Sequence, residues 1–480
     1  MKKLLFIFCL LSSLQTGFAQ KWIDTLYGFQ KTPDMAYGSA IDFAGNQRVL
    51  HLDLYEPVGD TIPSCGRPLL IAIHGGAFLG GSKSADAPPY WAKQFAQRGY
   101  VAASIQYRLG MFQTSSQVNC NVSLLGLPWN CLNMQDTAEW YRGAFRAMQD
   151  VKGAIRFLLN QASTYHIDPR NVFIVGESAG GFTALNVAFL DDPMEKPSPC
   201  GSLSNATPPN TIYENQCIQT TGYDTSIALM QLARPDLGSI DGDLNLSAPT
   251  YTIKGVGNFY GGVLSDLFSH STYTQAPRLY LYHQPNDLVV PYQHQGIYHG
   301  GAYCFTQWPA NCQWIINRPW VYGSSGIQQM ISGLNGSVTA LPLVYFDSTL
   351  NTADCATQLA NPSLAGHAID NIWLRTLHMA QFFAPAIDTS SLCGPSFVND
   401  PYGQDAQLLI YPNPANGEQL HILSSRGLQS WKIYSLQGQA MREGTMDGKN
   451  ATINIQGLVS GVYFIECVQN GKRTVAHFIR

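Results

Sequence analysis

Asn171 to Leu190 reads NVFIVGESAGGFTALNVAFL, and the fold turns on this stretch. Its opening run Val172-Phe173-Ile174-Val175 is apolar and β-branched, the pattern of a buried strand. Phe182 to Leu190 reads as the first turns of a helix. Between them lies Gly176-Glu177-Ser178-Ala179-Gly180, a G-x-S-x-G match placed where a strand becomes a helix. A serine in so sharp a turn takes a strained backbone, tolerable only between small neighbours. Gly176, Ala179, Gly180 and Gly181 supply them. The hydroxyl is then lifted out of the sheet beside the positive end of the next helix. Ser178 is the candidate nucleophile; the bland alternative is a Gly-rich turn with a bystander serine.

Outward from the elbow the chain reads as strands alternating with helices. Before it, Val49 to Tyr55 alternates, within one or two antiparallel strands spanning Ile41 to Pro57. Pro68 to Ile73 is a buried run that stops at His74-Gly75-Gly76-Ala77-Phe78. A helix near Tyr90 to Arg98 and a strand from Tyr100 to Gln106 follow. A Cys-clipped loop covers Gln113 to Asn133, and one long amphipathic segment runs from Met134 to Tyr165. His166-Ile167-Asp168-Pro169 reads as its breaker. Continuous apolar strands between helices describe a parallel sheet covered on both faces, an α/β fold.

After the elbow, Asp191 to Thr250 is rich in Pro, Ser, Asn and Gly, and reads as an insertion over the C-terminal edge of the sheet. Strands return at Ile253 to Tyr260, Arg278 to Tyr282 and Pro342 to Phe346, with a second insertion from Tyr292 to Ala340. Ile369 to Phe383 reads as a terminal helix. Residues 389–408 form a linker. Beyond them, short alternating runs such as His421-Ile422-Leu423 and Trp431 to Tyr434, separated by Gly/Asn turns, fit a small all-β sandwich over 409–480.

Length and composition agree with two units. The 480 residues exceed one ordinary core. Charged residues are 12%, the net charge is −4 and no Lys/Arg cluster occurs, so a nucleic-acid partner is not expected. Lys2-Lys3, the apolar run Leu4 to Leu11 and Gly17-Phe18-Ala19 predict a signal peptide over 1–19. That run is too short to span a bilayer and nothing later replaces it, so no transmembrane segment is expected. Of the 11 cysteines, Cys9 lies in this leader, which leaves ten. In an exported chain they read as disulfide candidates: spacing suggests Cys120–Cys131, Cys200–Cys217 and Cys304–Cys312, and Cys355–Cys393 would then leave Cys65 and Cys467 free, though sequence alone does not fix the connectivity. No C-x-x-C or H-x-x-x-H spacing occurs, and no metal or organic cofactor is expected.

A serine hydroxyl needs a base to take its proton and an acid to orient that base, in the chain order serine, acid, histidine. His367 follows the last strand and precedes the last helix, between Gly366 and Ala368. The competing histidines His270, His283, His294 and His299 all precede the last strand. Asp287 lies just beyond a strand end, in the turn Gln284-Pro285-Asn286; Asp266 and Asp347 are the fallback acids. An oxyanion needs N–H donors, and Ala179 and the turn Gly75-Gly76-Ala77 offer them. The alternatives are a surface histidine, an aspartate that serves only its own turn, and a plain Gly-Gly turn.

Together these residues resemble the α/β-hydrolase superfamily, in particular its esterases with an HGG-type oxyanion loop. HGGAF at His74, YRLG at Tyr107, IDPRNVFIVGESAGG, HQPNDLVVP around Asp287 and GHAID around His367 occur in the family's order, from about Leu50 to Phe383. The loop departs from HGGG by placing Ala77 at the third donor position. The resemblance implies hydrolysis of carboxylic esters by Ser178, His367 and Asp287, as in carboxylesterases or feruloyl- and acetyl-esterase-like enzymes. YPNPANG at Tyr411, IYSLQGQ at Ile433 and GLVSGVYFIECVQNGKRTVAHFIR to the end resemble the type A sorting domain of type IX secretion. That implies the secretion machinery as a partner and a secreted or cell-surface location; export together with the Tyr- and Trp-rich insertions favours external material, polymer-linked esters among it, as the substrate. A polyester depolymerase or lipase would differ only in its cleft. A serine peptidase would use the same triad, and a non-catalytic surface binding protein would use none of it.

Overall fold

The computed structural model describes residues 20–43, 45–110, 137–204, 233–269, 273–297, 319–334, 340–389, 408–411, 415, 418–435, 439–459, 461–469 and 472–480. The expected signal peptide, nearly all of the expected linker, the 113–133 loop, Cys217, Cys393 and the Cys120–Cys131 and Cys304–Cys312 pairs lie outside them. The chain divides into two compact units, Met1–Gly394 and Pro395–Arg480.

In the first unit the strands are β1 (Gly28–Ile41), β2 (Gln47–Val58), β3 (Arg67–Ile73), β4 (Val101–Ile105), β5 (Ile167–Glu177), β6 (Ile253–Phe259), β7 (Arg278–His283), β8 (His294–Gly296), β9 (Trp320–Tyr322) and β10 (Val344–Ser348). Eight of them form one sheet in the order β1-β2-β4-β3-β5-β6-β7-β10, while β8 and β9 make a separate ribbon. β1–β2 and β2–β4 pair antiparallel and the other pairs are parallel. Every residue of β3 and β4 is buried. Alternation sorts their side chains to two faces. Leu69, Ile71 and Ile73 pack with residues of helices α2 (Thr137–Leu159) and α4 (Ala179–Phe189). Leu70 and Ala72 pack with α1 (Ala87–Ala96) and with Met379 and Phe383 of the last helix. The expected covered parallel sheet is present.

Several boundaries differ from the sequence reading. β1 was not expected: it is an edge strand with one buried residue, Tyr37, and its pairing shifts register between Thr32 and Met35 and between Ala36 and Gly38. β5 runs through Pro169 rather than starting after it, because the pairing shifts between Arg67 and Leu69 and spares the proline a donor role. The amphipathic segment ends at Leu159, and α3 (Ala162–Tyr165) is a separate turn. Among the described residues three more α-helices follow: α5 (Ser324–Gly333), α6 (Cys355–Ala360) and α7 (Ile372–Phe383).

The described residues of the first insertion, 191–204 and 233–250, run along α2 and not over the C-terminal edge of the sheet as expected; residues 205–232 lie outside the described residues. Arg142 donates to the carbonyls of Pro199, Gly201 and Pro235, at 3.0, 2.9 and 2.6 Å. Gln149 reaches Leu237 and Ser239, and Arg156 reaches Leu244 and Asp241. The polar stripe of α2, which amphipathic patterning assigns to water, is buried because this strap covers it and supplies acceptors. Cys200 sits at the start of the strap as a free, buried thiol, not paired as expected. Its sulfur turns toward Tyr141 O at 3.7 Å, and burial pushes its pKa up to about 12. Cys65 is disulfide-bonded, against expectation; Cys355 is also disulfide-bonded, its expected partner Cys393 lying outside the described residues; Cys467 is free and buried.

The second unit is all-β, with β11 (Leu408–Tyr411), β12 (Gln419–Ser435), β13 (Ala440–Asn454), β14 (Val462–Gln469) and β15 (Lys472–Ile479), all antiparallel. β12 fuses two runs that read as separate strands. Its register against β13 shifts between Leu423 and Leu428, so its first half pairs with β11 and its second with β14. Leu420, Ile422, Ile433, Ile453, Ile465 and Phe478 make the core.

Candidate active site

Ser178 is the single residue between β5 and α4, at φ 51° and ψ −121°. Positive φ costs a non-glycine residue energy, and the surrounding contacts hold it there. The flanking glycines are sterically required. A Cβ on Gly176 would lie 2.1 Å from Gly180 O, and one on Gly180 would lie 2.3 Å from Ile73 O. Gly180→Ala is therefore expected to destabilise the chain by about 3 kcal/mol, read as a lower urea midpoint. An unchanged midpoint would contradict so close an approach.

The structure brings Ser178, His367 and Asp287 together across 189 and 80 residues of chain. His367 Nε2 lies 2.9 Å from Ser178 Oγ, and its Nδ1 lies 2.7 Å from Asp287 Oδ2. Gly366 lets the histidine loop press on the acid loop, since a Cβ there would meet Asn286 O at 2.5 Å. Gln284 holds that loop through the carbonyls of Ala365 and Ala368. Asp287 is buried, and Oδ1 accepts the N–H groups of Val289 and Val290 at 2.7 and 3.1 Å. Burial alone opposes its charge, but His367 and His283 outweigh burial and hold the carboxyl well below its ordinary range. The His367 side chain is 20% exposed, so the cluster opens to solvent.

The oxyanion-loop candidates lie against the nucleophile: a Cβ on Gly75 would come 3.1 Å from Ser178 Cβ. Gly76, Ala77 and Phe78 all take positive φ, 104°, 54° and 61°. Phe78 is held in that conformation by full burial against Tyr107 and Trp140. The N–H groups of Gly76, Ala77 and Ala179 donate to no described group. His74 holds the loop: Nδ1–H donates to Gly75 O at 2.7 Å, and burial lowers its pKa to about 4, so the ring is neutral. Tyr107 of the YRLG motif stacks on that ring and donates to His74 O at 3.0 Å.

The fallback acids do other work. Asp347 binds Arg375, His378 and Tyr280, and Asp266 caps the N–H groups of Phe268 and Ser269. His294 stacks on Tyr322 at 3.7 Å, while His270 and His299 lie outside the described residues. Sequence reading missed two neighbours. Tyr260, at φ 39°, packs edge-on against His367 at 4.6 Å and donates to Glu177 Oε2 at 2.6 Å. Glu177 is buried, which raises its pKa against the hydrogen bonds from Tyr260 and Ala87 N. Tyr260 ends an apolar run before Gly261-Gly262, a position whose aromatic ring was the one available signal. Among the described residues no cluster of His, Cys, Asp and Glu could hold a metal, and no helix is long and apolar enough to cross a membrane.

Sheet order, elbow and the serine–histidine–aspartate line define an α/β-hydrolase. Residues 52–119 and 134–236 match the family BD-FAE, and residues 409–480 match the secretion system C-terminal sorting domain. Para-nitrobenzyl esterase of Bacillus subtilis (strain 168) is 28% identical over 40% of this chain and 33% of its own length. Lipase 1 of Geotrichum candidum is 28% identical over 37% of this chain and 30% of its own. The chain thus spans about a third of the length of these curated relatives. Among solved structures, a truncated carbohydrate esterase from gut microbiota is 16% identical, with a TM-score of 0.39 over 76% of this chain and 98% of the other.

Proposed function

We propose that the chain is a secreted serine carboxylic-ester hydrolase. The observation that carries this is the line Ser178–His367–Asp287, with contacts of 2.9 and 2.7 Å at a positive-φ elbow. Relatives named as esterase and lipase support it. Ser178 Oγ attacks the ester carbonyl carbon while His367 Nε2 takes its proton, and Asp287 steadies the imidazolium that forms. Gly76, Ala77 and Ala179 N–H groups receive the oxyanion, and Gly75 sets the loop; each donor is worth about 10²–10³ in rate. Collapse breaks the bond to the alkoxy oxygen, which leaves as the alcohol with the proton from His367. Water then attacks the acyl-enzyme, again with His367 as base, releasing the acid and restoring Ser178.

The sorting domain supports export through the type IX machinery, with the chain released or held at the cell surface. Its substrate is then an ester outside the cell, and polymer-linked feruloyl or acetyl groups fit the BD-FAE match. A hydrolysis panel tests this: p-nitrophenyl acetate and a long-chain homologue, methyl ferulate, acetylated xylan and a peptide amide. Turnover of short or cell-wall esters is expected. Preference for the long chain would move the reading to a lipase, preference for the amide to a peptidase, and no turnover at all to a binding protein.

A further inference from the structure

We propose that His283 is a positioning residue for Asp287: a neutral imidazole, protonated on Nε2, that fills one acceptor site of Oδ2 and leaves the other to His367. The inference rests on the ester-hydrolase reading above and deepens its account of the acid.

His283 ends β7, four residues before Asp287, and is fully buried. Its two ring nitrogens face groups of opposite kind. Nδ1 lies 3.3 Å from Ser324 N, a backbone N–H that only donates. It also lies 3.2 Å from Ser324 Oγ, which itself receives the Asn258 amide at 3.3 Å and so has its hydrogen free for the ring. Nε2 lies 3.0 Å from Asp287 Oδ2 and 3.2 Å from Val290 O, groups that only accept. Donors on one side and acceptors on the other admit one arrangement, with Nδ1 bare and Nε2 carrying hydrogen. An imidazolium would aim a second N–H straight at Ser324 N–H. Tyr292 packs edge-on to the ring at 5.5 Å and completes the enclosure.

The acid gains a single free direction from this. Oδ1 is taken by Val289 and Val290 N–H, and one side of Oδ2 is taken by His283. What remains faces His367 Nδ1 at 2.7 Å, which turns Nε2 of that ring to Ser178. Because His283 is neutral, the whole charge of Asp287 stays available to the imidazolium that forms on His367. Ser324 is the first residue of α5, so the line Ser324–His283–Asp287–His367–Ser178 ties the second insertion to the nucleophile.

The test uses the full chain. In the wild-type protein with ¹⁵N-labelled histidine, the His283 signals are expected to report hydrogen on Nε2 and none on Nδ1 at the assay pH. The opposite tautomer, or an imidazolium, overturns the proposal. In kinetics on a short-chain ester, His283→Phe keeps a ring and loses the donor. It is expected to lower kcat about tenfold, the scale of one hydrogen bond to an ion, with KM unchanged. His283→Gln returns an N–H toward Oδ2 and is expected to recover most of that loss. Full kcat in the Phe variant, or a folded Gln variant that falls as far as Phe, overturns the role. Should the Phe variant not fold, the Gln variant and the wild-type tautomer decide. Ser178→Ala in the same assay separates the two readings. Activity within tenfold of wild type there removes the hydrolase assignment itself, whereas a Ser178→Ala lowered about a millionfold beside a fully active His283→Phe removes only the positioning role.

Discussion

Ser178→Ala is expected to lower kcat on p-nitrophenyl acetate by about a millionfold, with the fold intact. The residue already carries a Cβ at φ 51°, so alanine meets no new clash and stability should move by no more than about 0.5 kcal/mol. What disappears is the Oγ that lies 2.9 Å from His367 Nε2. Triad members act as one unit, so adding His367→Ala to Ser178→Ala should cost little more than either change alone. Turnover above the water reaction should persist at about 10³–10⁴, because the N–H groups of Gly76, Ala77 and Ala179 still receive a developing oxyanion. Wild-type enzyme treated with a phosphonylating ester should gain one adduct on Ser178, seen by peptide mass spectrometry, and the variant none. Activity within tenfold of wild type in Ser178→Ala would place the nucleophile elsewhere.

How far that site could be read before the structure depends on what each residue must satisfy locally. β3, β4 and the Val172–Val175 run of β5 are buried on both faces, so hydrophobicity alone marks them, and the elbow's glycines are dictated by contacts of 2.1 and 2.3 Å with nearby backbone. Chain order then pointed to His367 and Asp287, which lie in line with Ser178 at 2.9 and 2.7 Å. β1 escaped because an edge strand with one buried side chain carries no apolar period. The strap along α2 escaped for a different reason. Arg142, Gln149 and Arg156 bind backbone carbonyls, and a carbonyl acceptor leaves no mark on residue identity. Cys200 and Cys217 are near in sequence, but nearness does not set direction, and the Cys200 sulfur turns inward to Tyr141. His283 was visible as a histidine four residues before the acid. Only the position of Ser324, supplied by an insertion without periodic pattern, shows that it serves the acid rather than the serine.

Asp287→Asn is expected to lower kcat by about 10⁴ and to cost stability as well, because all four of its partners are donors. With the amide oxygen toward Val289 and Val290, the new NH₂ faces the His283 Nε2–H, and His367 must present a bare Nδ1. His367 then carries its hydrogen on Nε2, facing Ser178, and cannot take the serine proton. With the amide reversed, NH₂ faces two backbone N–H groups. His283 cannot relieve either arrangement by changing tautomer, since Ser324 N–H holds its Nδ1 bare. Either way a buried donor lacks an acceptor, for a loss of about 3 kcal/mol near neutral pH. The pH dependence has a fixed sign. The folded-state pKa of Asp287 is depressed: burial opposes the charge, but His367 and His283 prevail. Its contribution is therefore fully present above the unfolded-state value of about 3.9 and fades as pH falls from there toward the folded-state value. Urea midpoints of the wild type and Asp287→Asn should differ at pH 7 and converge below about pH 4. Midpoints that stay equally far apart down to pH 2 would show that the carboxylate charge contributes nothing to the fold. Full activity in Asp287→Asn would reopen the search for the acid, with Asp347 already committed to Arg375, His378 and Tyr280.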